Sequence, residues 1–355
     1  MADETRSRNL RFPPPPEQRK TIFMIGASPP ILDAHASSHA EPRGLIVSPP
    51  GRSVLTSMSG ILDAMHAEPL ESKSTSASEI LHGHLREHPR ADGSGIVVVG
   101  TSTEPIHYPD GDHDRCAELE SDSFWFSHRS SCLNALVRRH RIKGAMLDVG
   151  GGNGHVSLAI EGDDLECWLI EPSMDGCRNA AARGLPRVVR STLEGLALPD
   201  SCVDAIGLFD VIEHVEDPAT LLSEARRVIR PGGHLLVTVP AIRWLWSEHD
   251  RRAGHFRRYT SLELHRALED AGLDVVDQGF LFSPLVLPVL LGRAVPNRLG
   301  FARHIDRARL QRHHASGPGL TGRVLDRALQ RELRRVESGR WSRSGTTLAA
   351  VAAKM

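Results

Sequence analysis

The chain has 355 residues, of which 40% are apolar and 25% charged, with a formal net charge of −1 at neutral pH. That length accommodates one large domain with an appendage, or two domains. The balanced charge provides no overall electrostatic pull toward nucleic acid or an anionic membrane, and no nucleic-acid acceptor is expected.

The first 20 residues, with "FPPPP" and many charges, read as a disordered tail. Residues 21–107 contain three β-like runs, "TIFMIG", "GLIVS" and "GIVVVG". Amphipathic stretches around "SVLTSMSGILDAMHA" and "SASEILHGHLREH" lie between the second and third runs, so a small N-terminal α/β unit without a catalytic motif is expected. "HYPDGDHD" reads as a linker, and residues 108–355 as the main domain.

That domain opens on a helical lead-in, "AELESDSFWFSHRSSCLNALVRRHRI", with an aromatic knot at Phe124, Trp125 and Phe126. Strands and helices then alternate. "GAMLDVG" precedes helix "HVSLAIEG", "CWLIEP" precedes "SMDGCRNAAARG", and "RVVRST" is a short third strand. "VDAIGLFD" precedes "PATLLSEARRVI", a turn "RPGG" leads into "HLLVTVP", and "SLELHRALEDAG" precedes "LDVVDQGFLF". "GTTLAAVAAKM" is the last strand, after a helical insert. This rhythm predicts an α/β fold: a Rossmann-like, doubly wound, mostly parallel sheet that binds ligands at the carboxyl ends of its strands.

The most apolar stretch, Gly279 to Gly292, is too short to span a bilayer and holds two prolines, so it is either a buried segment or an apolar lid. Cys116, Cys132, Cys167, Cys177 and Cys202 are odd in number and form no CxxC pair, which excludes a disulfide framework and a zinc site. Reduced thiols and the lack of a signal-peptide pattern make a cytoplasmic location the expectation. The basic clusters "RRVIR" and "RELRR" read as solvated helix faces.

"LDVGGGNGH" places Gly150, Gly152 and Gly154 directly after a strand. Glycines there admit positive φ and let a ligand approach the backbone at a helix N-terminus. A dinucleotide site needs G-x-G-x-x-G, but His155 occupies the third position. Asp148 before the loop disfavours a pyrophosphate and suits a cationic ligand. Glu171 ends the next strand, where a carboxylate accepts hydrogen bonds from ribose hydroxyls.

Together, "MLDVGGGNG", "LIEP", "LPDSCVDAIGLFDVIEHVEDP" and "RVIRPGGHLLVTVP" resemble the successive motifs of class I S-adenosylmethionine-dependent methyltransferases, from about Ala117 to Met355. The resemblance implies S-adenosyl-L-methionine as cofactor and a small-molecule or lipid-linked acceptor. In it, Gly150, Gly152 and Gly154 pass under the methionine and ribose, Asp148 sits near the methionine end, and Glu171 holds the ribose. Leu193 offers a backbone N–H to adenine, with Thr192 where the family usually has an acid. Phe209 and Asp210 flank the methionine. "FWFxxR" (Phe124 to Arg129) and "WSxHDxxxGHxRRYT" (Trp246 to Thr260) are similar to a bacterial subgroup linked to cell-surface glycan or secondary metabolism.

For the chemistry, His255 and His249 are the candidate acceptor bases, with Arg257 or Arg258 pairing an anionic group on the acceptor. The alternative is that these pairs only staple the loop to the sheet. Asp210, Glu213 and His214 resemble the carboxylate/histidine motif of Mg²⁺-dependent relatives, although the same "EHV" occurs in members without a metal. A cofactor-binding protein without catalysis and a nucleotide-dependent oxidoreductase are the competing functional readings.

Overall fold

A computed structural model describes residues 75–91, 93–100, 112–120, 123–299 and 320–355. The expected tail and the runs "TIFMIG", "GLIVS" and "SVLTSMSGILDAMHA" lie outside these residues.

Eight strands form one sheet: β1 (Val97–Val98), β2 (Gly144–Val149), β3 (Leu165–Ile170), β4 (Val188–Arg190), β5 (Val203–Phe209), β6 (Ile229–Pro240), β7 (Asp274–Leu281) and β8 (Thr347–Ala353). Their order is β1-β4-β3-β2-β5-β6-β8-β7. All pairings are parallel except those of β8, which runs antiparallel to both β6 and β7. The strand order reverses at β2, so the crevice beyond its carboxyl end lies at the switch point between the two halves of the sheet.

Near-continuous apolar runs make strands buried on both faces, and alternate residues supply two separate cores. Ala145, Leu147 and Val149 of β2 face one core, shared with helices α1 (Ala77–Leu85), α6 (Pro218–Val228) and α8 (Ser261–Asp270). Met146 faces the other, shared with α3 (Phe124–Arg139), α4 (His155–Ile160) and α11 (Leu320–Glu337). Helix α5 (Met174–Ala182) covers β3 and β4. Local signals set the helix starts: Asp217 caps α6 before Pro218, and Thr260 and Glu263 form a capping box on α8.

Four expectations are corrected. The sheet reaches back before residue 108: β1, from "GIVVVG", pairs with β4, and α1 packs on the same core as β2. The lead-in is two helices, α2 (Asp112–Glu120) and α3, and α2 begins inside the expected linker. The "RPGG" turn is a bulge within β6, four residues (Arg230 to Gly233) against Asp204 of β5, because Gly232 turns out at φ 77° and its N–H donates to the Lys354 carbonyl. The apolar stretch after β7 is buried only at its start. Leu281 and Phe282 are inaccessible, whereas Leu287 and Leu291 are 60% and 59% exposed.

The insert is anchored from α11. Glu332 accepts hydrogen bonds from the Phe282 and Ser283 N–H groups and pairs with His128 of α3 at 2.9 Å. This carboxylate holds Phe282 in a left-handed conformation (φ 59°) that a bulky residue seldom adopts.

Candidate active site at the carboxyl edge of the sheet

The glycine loop leaves β2 with Gly150, Gly152 and Gly154 at φ 68°, 56° and 72°. Gly151 lacks a positive φ, so packing explains it instead of the turn: a Cβ there would meet Leu169 Cδ1 at 2.3 Å and Asp148 Oδ2 at 2.7 Å. Gly151→Ala is therefore expected to cost about 1–3 kcal/mol through overpacking. Thermal unfolding would register this as a lowered Tm; an unchanged Tm would show that the loop relaxes freely.

Asp148 is inaccessible beneath this loop. Its Oδ2 accepts from Ser157 of α4, while Oδ1 has no hydrogen-bond partner. Burial raises its pKa to about 6 against the pull of Ser157 and Arg129. An anionic oxygen with spare capacity at this spot opposes a pyrophosphate and favours a ligand with donors or positive charge.

Glu171, just past β3, is 4% exposed. Oε2 accepts from the Gly152 N–H at 2.9 Å and Oε1 from the Ser173 N–H at 2.8 Å. Burial pushes its pKa up to about 7, although both backbone donors pull it down. Each oxygen retains a second lone pair, so the carboxylate can brace the loop and accept from a diol together. Leu193 is buried at the start of the Glu194–Leu196 turn, and Thr192 Oγ1 accepts from Gly195.

Two contributors were missed at the sequence level. His113 of α2 stands 3.9 Å from Glu171, beside Gly152 and Gly176. Helix α2 is tied there by Asn153, which donates to the His113 carbonyl, and by the Arg183–Glu120 pair at 2.6 Å. The second is Arg129, which is 7% exposed; it pairs with Asp210 at 2.8 Å and donates to the Phe209 carbonyl. Breaking such a buried pair by removing one partner costs about 3–5 kcal/mol. Asp210 is held at φ 58°, in the left-handed region. The aromatic knot accounts for Arg129's support: Trp125 stacks on Phe282 at 5.4 Å, and Arg129 lies over Trp125. Phe124 and Trp125 are thus core packing, while Phe126 meets His155. Only the "FWFxxR" spacing had pointed to Arg129.

The stretch after β6 folds back over the "DVIEHVED" loop. A Ser247/Asp250 capping box starts α7 (Glu248–Arg252), and the inaccessible Asp250 does more than cap. His255 Nδ1 lies 3.2 Å from its Oδ1, and Arg258 Nε donates to the same oxygen at 2.6 Å. Burial raises the Asp250 pKa, but His255 and the Arg258 guanidinium outweigh it and hold the carboxyl well below its usual range. The His255 ring meets His214 edge-on at 4.7 Å. His249 is exposed, with the charges of Arg293, Asp250 and His255 nearby, and does not join that ring pair.

Of the two arginines expected to hold an acceptor anion, Arg258 is committed to the protein, whereas Arg257 keeps donors beyond one backbone contact. Arg258 is occupied by Asp250 and the Ala241 carbonyl, and Arg257 donates to the Glu216 carbonyl. Glu213, inaccessible, has no hydrogen-bond partner on either carboxyl oxygen. Burial and the Asp210 charge raise its pKa well above normal.

Among the described residues, ligand atoms of Glu213, His214 and His255 lie within 4.8 Å of one another. They do not fit Mg²⁺, which takes oxygen ligands: two of the three are imidazoles, and Asp210 is engaged by Arg129.

Residues 128–278 match the family model described as a methyltransferase domain. A probable S-adenosylmethionine-dependent methyltransferase of Mycolicibacterium smegmatis is 34% identical over 165 residues, covering 45% of this chain and 63% of the relative. Residues 128–278 are thus similar to S-adenosylmethionine-dependent methyltransferase domains. A similarly described protein of Mycobacterium tuberculosis is 28% identical over 211 residues, covering 57% of this chain and 73% of the relative. Among solved structures, a phosphoethanolamine N-methyltransferase of Haemonchus contortus, in complex with S-adenosyl-L-methionine, is 16% identical. It covers 62% of this chain and 52% of its own, with a TM-score of 0.40. The chain thus spans less than two thirds of the M. smegmatis relative. Within the matched residues, the glycine loop, Asp148 and Glu171 gather at the carboxyl ends of β2 and β3, and the His255–Asp250 pair lies in the stretch after β6.

Proposed function

We propose that the protein transfers a methyl group from S-adenosylmethionine to an oxygen of a small or lipid-linked metabolite in the cytoplasm. The observation that carries the acceptor side is the His255–Asp250 contact, backed by the buried Arg258. A carboxylate on Nδ1 leaves Nε2 as the imidazole's proton acceptor, the arrangement a hydroxyl nucleophile requires. Bound cofactor supplies an electrophilic methyl on a sulfonium. Asp148, Glu171 and the Gly150–Gly154 backbone hold and orient it, with Leu193 at the adenine and Phe209 and Asp210 at the methionine. His255 Nε2 would accept the proton of the acceptor's hydroxyl. His249 is the second candidate base, on the exposed side of the same loop.

Calorimetry should show binding of S-adenosylmethionine and S-adenosylhomocysteine but not of NAD. Metabolite comparison between cells with and without the protein should reveal a compound changed by one methylene, whose purified precursor supports S-adenosylhomocysteine release. Tight cofactor binding without any such release would make the protein a binder instead of an enzyme. A product methylated at nitrogen or carbon would overturn the oxygen assignment.

A further inference from the structure

Between β7 and α11 the chain forms a continuous helical segment whose exposure does not match its composition. It comprises α9 (Val286–Val289), a π-helical turn (Leu290–Ala294) and α10 (Val295–Arg298). Pro296 cannot donate a helical hydrogen bond, and its ring crowds the carbonyl one turn back, which explains a widened turn just before it. Of its apolar side chains only Ala294 is buried; Leu287, Leu291 and the following Leu299 are 60%, 59% and 65% exposed. Trp244, after β6, is 61% exposed beside the same segment, with the Arg298 guanidinium 3.8 Å over its ring. Scattered exposed leucines need no explanation, but three within residues 287–299, with an exposed tryptophan against the same segment, do.

The sequence that continues from this segment is basic. From Arg293 to Gly319 the sequence carries Arg293, Arg298, Arg303, Arg307, Arg309 and Arg312 against the single acid Asp306. The net charge of −1 for the whole chain conceals this local excess. Exposed leucines and a tryptophan beside Arg298, in a chain segment that runs into a basic stretch of sequence, match the interface of an anionic bilayer, where apolar side chains enter the acyl boundary and guanidinium groups meet phosphates. No helix among the described residues is long and apolar enough to cross a membrane, so contact would be at the surface.

We propose that Trp244 and the exposed flank of residues 286–299 dock on an anionic lipid bilayer. This does not depend on the methyl-transfer reading and is tested without activity. The full chain is floated with phosphatidylcholine vesicles, with or without roughly one third phosphatidylglycerol. Flotation is expected only with the anionic vesicles, weakening as salt rises. The double variant Leu287→Asp/Leu291→Asp should partition at least about tenfold less while keeping its circular dichroism and Tm. Brominated phosphatidylglycerol should quench tryptophan fluorescence in the parent, and Trp244→Phe should abolish most of that quenching, a readout that survives if the double variant misfolds. Absence of flotation, or quenching undiminished in Trp244→Phe, would overturn the proposal. So would a dimer in light scattering that the aspartates dissociate, which would assign this flank to a second copy of the chain.

Discussion

Glu171→Ala is expected to weaken S-adenosylmethionine binding roughly 100-fold, with Glu171→Gln losing about tenfold. The carboxylate already accepts from Gly152 and Ser173, so removing it deprives the ligand of an acceptor and the glycine loop of its brace. Two lost charge-assisted hydrogen bonds, each at the lower end of the usual range, about 1.5 kcal/mol, account for the larger figure. Glutamine keeps one acceptor oxygen, hence the smaller loss. The same group predicts a pH dependence. Burial raises the Glu171 pKa to about 7, so near neutrality part of the protein carries the neutral acid. Ribose hydroxyls favour the ionised acceptor; binding therefore releases a proton, and affinity should rise with pH through about 7 before levelling off. Calorimetry across pH 6–8, in buffers of different ionisation enthalpy, reads both the affinity and the proton. A flat profile with no proton release would remove Glu171 from the ribose.

His255→Ala is expected to lower kcat about 100- to 10,000-fold with the S-adenosylmethionine Kd unchanged, the range for loss of a general base. Asp250 is a positioning residue, so its variant needs a readout that a purely structural role would leave alone. Asp250→Asn preserves the shape of the capping box but removes the charge facing His255 and Arg258. If Asp250 orients the base, kcat falls with little change in KM among molecules that remain folded, and His255→Ala adds almost nothing to the double variant. If the pair only staples the loop, Asp250→Asn lowers Tm, because the buried Arg258 loses its partner, and kcat of the folded fraction stays near the parent's. Full activity in His255→Ala would assign the proton to His249 or to solvent.

Much of the architecture was written locally. Apolar runs of strand length, amphipathic helices and caps such as Asp217-Pro218 and Thr260/Glu263 each carry their instruction within a few residues. Asp148 and Glu171 were legible for the same reason, each being an acid at the end of an apolar run. Less was legible where partners lie far apart in the chain. β1 is a two-residue strand that exists only through pairing with β4, some ninety residues on. Arg129 reaches Phe209 and Asp210 across a gap of about eighty residues, and no local pattern announces that pairing. His113, in an apparent linker, comes to lie beside Glu171 only because α2 is tied down by Asn153 and Arg183.

The sequence by itself determined the α/β alternation, the glycine loop and its two acids, since these follow from periodicity and from the backbone freedom of single residues. Only the tertiary structure decided which histidine is held by a carboxylate, which arginines are already occupied, and which side of the apolar segment after β7 faces water. Charge pairing and burial belong to pairs of surfaces, and a single stretch of chain specifies just one of them.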